Sequence, residues 1–205
     1  MKRNFIALCT LLLAACESQE PKITLFSNEA FQTEADGKPV GIYTLRAGDV
    51  TMQVTNYGAR VVSLWTPDRA GDYEDIVLGY ETIDRYINND GERFLGAVVG
   101  PYANRIAKGS FTLDGTEYNL PINNNGQTLH GGIDGLDRVV WDVVSASEDQ
   151  LVMKYLHADG QEGFPGNLQI EMTYSLTPEN EFRIDYSATT DKPTVVNLSH
   201  HPFFN

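Results

Sequence analysis

A strict period of two near the C-terminal end restricts this chain more than any other feature. Across residues 168–176, Leu168, Ile170, Met172, Tyr174 and Leu176 alternate with Gln169, Glu171, Thr173 and Ser175. Side chains at period two line opposite faces of an extended backbone, so the segment predicts a half-buried strand. Pro178 and Asn180 predict a turn after it. Residues 181–190 alternate again through Phe182, Ile184, Tyr186 and Ala188, which makes the pair a hairpin. Residues 110–120 repeat the pattern around Asp114-Gly115, a dipeptide suited to a tight two-residue turn. Further strands are expected within residues 50–65, 74–79, 139–144 and 150–156. No segment sustains helical periodicity, and residues 80–88 allow a turn or two of helix at most. Many short antiparallel strands with regular turns imply an all-β sandwich or barrel.

The 205 residues suffice for one sizeable core. The net charge of −13 speaks against nucleic acid or an anionic membrane as an electrostatic partner, but not against a neutral ligand such as a sugar. The N-terminus is a separate unit: a basic start at Lys2-Arg3, an apolar run over residues 5–15, and Cys16. That run is too short to span a bilayer and suits an export signal. "LAAC", ending at Cys16, resembles the lipobox of bacterial lipoproteins, in which the cysteine is lipidated; the alternative is an ordinary secretory signal cut nearby. The expected organisation is a signal over 1–15, a polar tether over 16–24 and one domain over 25–205. An export signal with a lipidated Cys16 puts the protein at the cell envelope on the periplasmic side, and Glu17 points toward the outer membrane. The only other cysteine, Cys9, lies inside the signal, so the mature domain is expected to hold no disulfide.

Three islands carry residue types suited to chemistry. Asn104 and Arg105 precede the 110–120 hairpin; a guanidinium fork beside an amide can grip vicinal hydroxyls, or the two are a turn residue and a surface charge. His130 lies in "LHGG", where Gly131 and Gly132 leave the backbone open to a ligand, or form a plain turn. The third island is "TVVNLSHHPFFN", residues 194–205. On a strand His201 falls on the polar face with Asn197 and Ser199, while His200 falls on the apolar face with Val196 and Leu198. Adjacent strand residues point apart and make a poor metal pair, so no metal site is expected from the four histidines. His201 is the candidate for proton chemistry, because an imidazole ordinarily titrates near physiological pH; His200 reads as a core histidine. Asp159 and Glu162, in the glycine-rich segment 158–168, read as solvated carboxylates of a rim.

In order and wording, "ANRIAKGSFTLDGTEYNLPINNNGQTLHGG", "VVWDV", "DGQEGFPGNL" and "TDKPTVVNLSHHPFFN" resemble the aldose 1-epimerase, or galactose mutarotase, family. The likeness runs from about Leu25 to Asn205 and implies the large antiparallel sandwich of that family. It further implies that Asn104 and Arg105 bind sugar hydroxyls, that His130 holds the sugar near its ring oxygen, and that His201 donates a proton to that oxygen. Phe203 matches a substrate-pocket position usually held by Tyr, Pro101 stands where Arg is common, and His200 where Asn is common. The implied reaction interconverts α- and β-anomers of aldohexoses such as galactose and glucose without cofactor or metal. Each proton transfer contributes roughly 10²–10⁴-fold in rate. The family's general base, a glutamate, has no counterpart before Asn205, so the chain is expected to be an N-terminal portion that lacks activity alone. A non-catalytic carbohydrate-binding module of the same fold is the alternative; an enzyme for phosphorylated hexoses would need extra basic residues.

Overall fold

A computed structural model describes residues 23–205. Residues 1–22, with the expected signal, Cys16 and most of the tether, lie outside the described residues. Two four-stranded antiparallel sheets dominate. The first runs Ile42–Ala47, Val50–Thr55, Arg60–Pro67 and Tyr73–Asp75. The second runs Asp142–Ala146, Gln150–His157, Leu168–Leu176 and Phe182–Thr190. The alternation does what period two requires: every even-numbered residue from Leu168 to Leu176 is buried, and each residue between them is less buried.

The buried faces of both sheets meet in one cluster, with Leu45, Met52, Val54 and Val61 from the first and Leu151, Met153, Ile170 and Met172 from the second. Trp141, fully buried, fills the space beside them. Burying a side chain of this size contributes roughly 1.5–3 kcal/mol, so this cluster is the main source of stability. Two side-chain bonds stitch the sheets together. Tyr174 donates its hydroxyl proton to Ala59 O at 2.8 Å. At the hairpin tips Asn180 Oδ1 accepts the Asp49 N–H at 2.7 Å.

The Asp114-Gly115 turn forms as expected, with both residues at positive φ between Ser110–Leu113 and Thr116–Asn119. The helix within 80–88 is Ile83–Ile87. A second single turn, Asn28–Phe31, has no periodic signal; Ser27 caps it and the complete burial of Phe31 holds it in place. Two expectations need correction. The strand expected over 74–79 ends at Asp75, because its own carboxylate takes the backbone N–H of Leu64 and of Val77 and replaces the ladder there. In Phe182–Thr190 the alternation fades and Ala188 is exposed; this outer strand pairs with one neighbour only.

Two histidines belong to the interior. His200 packs its ring 5.5 Å from Tyr174 and 5.7 Å from Phe182, with Nε2 3.0 Å from Gly96 O. His157 is 1% exposed, lies against Phe164, and its Nε2 has no partner. Burial pushes both down to about 4.

The unfolded chain therefore binds protons first as pH falls, so the stability tied to these groups is complete above about pH 6.5 and is lost toward pH 4. For His157 the ceiling is about 3 kcal/mol. Thermal unfolding followed by circular dichroism should show Tm falling between pH 7 and pH 5 in the wild type and falling less in His157→Phe; equal losses would exclude His157 as a source of acid sensitivity.

Candidate active site

Strand pairing brings the first two islands together. Arg105–Ile106 pairs with Thr128–Leu129, placing Leu129 opposite Arg105. One step further, His130 donates its backbone N–H to Asn104 O, and its Nδ1 accepts the Asn104 N–H, both at 3.0 Å. Asn104 (φ 67) and His130 (φ 53) both adopt the left-handed conformation, and each holds the other in it. Because Nδ1 accepts, the neutral ring carries its proton on Nε2. Burial, with His201 the next cause, pushes His130 down to about 4. Near neutral pH His130 is therefore a fixed N–H donor rather than a proton carrier. Arg105 is exposed. Its Nε and Nη2 donate to Asn124 Oδ1 at 3.3 and 3.1 Å, and its Nη1 donates to Asn104 Oδ1 at 3.3 Å. Two amide oxygens thus aim one guanidinium.

The third island enters through Ser199–His201, which pairs with Ala97–Val99 so that His201 lies opposite Ala97. Asn197 fastens the approach: its carbonyl accepts the Ala103 N–H at 2.7 Å and its Nδ2 donates to Ala103 O at 3.1 Å. The His201 ring then sits 5.0 Å from His130, at 84° to it, and 5.1 Å from Phe203. Its Nδ1 is buried without a partner among the described residues, which leaves Nε2 to meet a ligand. Asn104, Arg105, His130, His201 and Phe203 thus converge from three distant stretches. His200 and His157 do not join them, and among the described residues no group of three or more His, Cys, Asp or Glu is placed to hold a metal ion.

Sequence reasoning missed the support beneath this site. Phe94 packs 4.7 Å from His130 and 5.8 Å from His201. Asp137 is fully buried; Arg93 Nε reaches its Oδ2 at 2.7 Å and Arg93 Nη2 its Oδ1 at 2.9 Å. Buried Arg60 donates Nη2 to Asp137 O at 2.7 Å and Nη1 to Arg93 O and Leu95 O at 2.8 and 2.9 Å. Charges inside the apolar runs, Arg60 in 57–65 and Asp137 with Arg138 in 136–141, were the available signal, but nothing local names the partner across the fold. Of the two readings of "LHGG", the turn is the one that forms, with the Gly132 N–H donating to Leu129 O at 3.1 Å. A Cβ at Gly131 would strike Gly100 O and one at Gly132 the Glu162 carboxylate, so protein, not ligand, occupies that space. Glu162 is a half-buried carboxylate whose Oε2 accepts the Ile133 N–H at 2.6 Å. Asp159 accepts the Gly166 N–H at 2.6 Å and pairs with Lys192.

A family model described as aldose 1-epimerase matches residues 41–205. The chain belongs to the aldose 1-epimerase family. It is 38% identical over 169 residues to the galactose mutarotase of Rattus norvegicus, covering 82% of this chain and 48% of that one. To the aldose 1-epimerase of Escherichia coli (strain K12) it is 38% identical over 180 residues, covering 87% and 51%. Among solved structures, a GalM/aldose epimerase homologue from C. elegans superposes with TM-score 0.77 at 31% identity, covering 81% of this chain and 51% of that one. Galactose 1-epimerase from Lactobacillus acidophilus NCFM superposes with TM-score 0.73 at 28% identity, covering 85% and 52%. The chain spans about half the length of the curated relatives it matches.

Removing Asp137 takes the carboxylate from the fully buried Arg60 guanidinium and from the partly buried Arg93 guanidinium. Asp137→Ala should cost about 3–5 kcal/mol in urea unfolding. Asp134→Ala, which breaks an exposed pair with Arg138, should cost under about 1 kcal/mol. Equal costs would show that the buried cluster does not anchor the fold.

Proposed function

We propose that this chain carries the sugar-binding and acid half of an aldose 1-epimerase site. The observation that carries the reading is the His130–His201 pair: two imidazoles with centroids 5.0 Å apart, one with Nδ1 engaged as an acceptor, the other with Nδ1 buried and unpartnered among the described residues. Protonated His201 gives its Nε2 proton to the ring oxygen of an aldohexose. A base removes the proton from the hydroxyl on carbon 1, the bond from carbon 1 to the ring oxygen breaks, and an aldehyde forms. Rotation about the bond between carbons 1 and 2 presents the other aldehyde face. Closure returns one proton to His201 and the other from the base, now with inverted configuration. His130 donates its Nε2–H toward the ring oxygen, and Arg105 with Asn104 holds hydroxyls and favours developing negative charge. Phe203 packs an apolar sugar face.

The base is assigned to none of the carboxylates around the pair. Asp137 is held between two guanidiniums, and Glu162 is committed to Ile133. We place it in the part of the relatives' length that this chain does not span. A chain with binding groups and acid but no base should bind D-galactose in ligand-observed NMR and lose that signal in Arg105→Ala or His130→Ala. Polarimetry on freshly dissolved α-D-glucose should then show the spontaneous rate. No binding by a folded chain would overturn the sugar reading. Acceleration that vanishes in His201→Gln would place the base within these residues.

We further propose export and lipid anchoring through Cys16. Diacylation or triacylation of one residue holds a protein at a bilayer, where a single chain is marginal. In a bacterial host the wild type should fractionate with membranes and Cys16→Ala with the soluble periplasm; a wholly soluble wild type would remove the proposal.

A further inference from the structure

Among the described residues nothing gives His201 Nδ1 the hydrogen bond that usually fixes a reactive imidazole. Such a ring is normally held through one nitrogen by a carboxylate or carbonyl while the other nitrogen reacts. His130 has an equivalent tether, since its Nδ1 accepts the Asn104 N–H. His201 Nδ1 is buried with no partner among the described residues, so ring packing alone sets its orientation. The rings against it are His130 at 5.0 Å, Phe203 at 5.1 Å and Phe94 at 5.8 Å. Of the two phenyl rings, Phe94 also touches His130, at 4.7 Å and 65°.

Phe94 is itself held from both sides. The Arg93 guanidinium lies 4.8 Å from its ring centroid, and that guanidinium is fixed by its two bonds to buried Asp137. The Phe94 carbonyl accepts the N–H of Ala97, the first residue of the strand that pairs with Ser199–His201. Arg93 Nη2 also donates to Ile133 O at 2.9 Å and contacts Gly132 O at 3.3 Å, next to the His130 turn.

We propose that Phe94, clamped by Arg93 on Asp137, is the positioning residue that sets the mutual orientation of His130 and His201. The proposal rests on the acid and donor roles assigned above. Its physical content is the barrier to ring reorientation. With no tether at Nδ1 among the described residues, a flip of His201 exchanges Nδ1 with Cδ2 and Nε2 with Cε1, so a flipped ring presents carbon where Nε2 should meet a ligand, and water reaching Nδ1 lets the proton sit on either nitrogen. A phenyl ring wedged against both imidazoles closes the space that the flip needs. It also keeps water away from His130.

The test reads the imidazoles directly and needs no sugar. Ring signals of His130 and His201 are followed by ¹⁵N-resolved NMR from about pH 4 to 8 in the wild type, Phe94→Ala, Phe94→Leu, Phe94→Tyr, Arg93→Lys and Arg93→Lys/Phe94→Ala. The charged and titratable groups around His130 are His201, Asp137, Arg105 and Arg93, and the Phe94 variants leave all four in place. The wild type should show one His201 tautomer and a His130 that stays neutral to about pH 4. Phe94→Ala should admit water, raise the His130 midpoint by about one pH unit (tenfold in proton affinity) and average the His201 tautomers. Phe94→Leu, which keeps apolar bulk should the smaller residue prevent folding, should average the tautomers with a smaller midpoint shift. Phe94→Tyr should behave as wild type. Arg93→Lys keeps the charge but loses the two-pronged clasp, so it should resemble Phe94→Ala. The double variant should exceed neither single. Wild-type titration and tautomers in folded Phe94→Ala or Phe94→Leu would overturn the proposal. So would an additive double variant, which would mean that Arg93 acts through Gly132 and Ile133. Saturation transfer to D-galactose, run alongside, fails separately: its absence in the wild type would sink the sugar reading and leave the positioning result standing.

Discussion

The buried carboxylate of Asp137 is the constraint on which the site depends. An ionised carboxylate and a fully buried guanidinium each cost several kcal/mol to remove from water, and only dense hydrogen bonding offsets that. Here Arg93 takes both carboxylate oxygens, while Arg60 takes the Asp137 backbone carbonyl and two further carbonyls at Arg93 and Leu95. The cluster therefore ties together three pieces of chain that share no sheet: the start of Arg60–Pro67, the segment around residues 93–95, and the loop after His130. The site is a set of short segments laid over this anchor. Its precision comes from charges that cannot move without being stranded.

The four histidines show how strongly environment overrides residue type. His157 is sealed against Phe164, and His200 packs against two aromatic rings with a carbonyl at Nε2. Both are interior groups that happen to titrate. His130 is held neutral by burial and, next, by nearby His201, and the Asn104 amide at Nδ1 makes it a donor of fixed direction. His201 differs from His130 in its Nδ1, which is buried with no partner among the described residues. In the proposed function this pairs a fixed donor, His130, with a proton carrier, His201, because ring opening of a hemiacetal requires one oxygen to be both polarised and protonated.

The departures from the family's usual wording have local consequences. The imidazole at His200, where the family commonly carries Asn, serves the core by filling the space between Tyr174 and Phe182. The ring of Phe203, where Tyr is usual, lies against His201 and offers it no hydroxyl. The tether that a hydroxyl could supply is therefore lacking on that side, which places the burden of orienting His201 on shape.

By itself the sequence determined the architecture. Period two in Leu168–Leu176, the Asp114-Gly115 turn and the lack of helical periodicity are local signals, and local signals suffice where one face is wet and the other dry. It also determined, through the strand-face rule, that His200 and His201 point apart. The single turn at Asn28–Phe31 was not legible, since its stability comes from where Phe31 is buried rather than from periodicity. Nor was the support of the site. Arg60, Arg93 and Asp137 are far apart in sequence, and a charge beside apolar residues says only that some partner exists. Which partner, and that Phe94 would come to rest between His130 and His201, was decided by the tertiary structure, because ring contacts and buried ion pairs depend on how segments pack across space and leave no periodic trace along the chain.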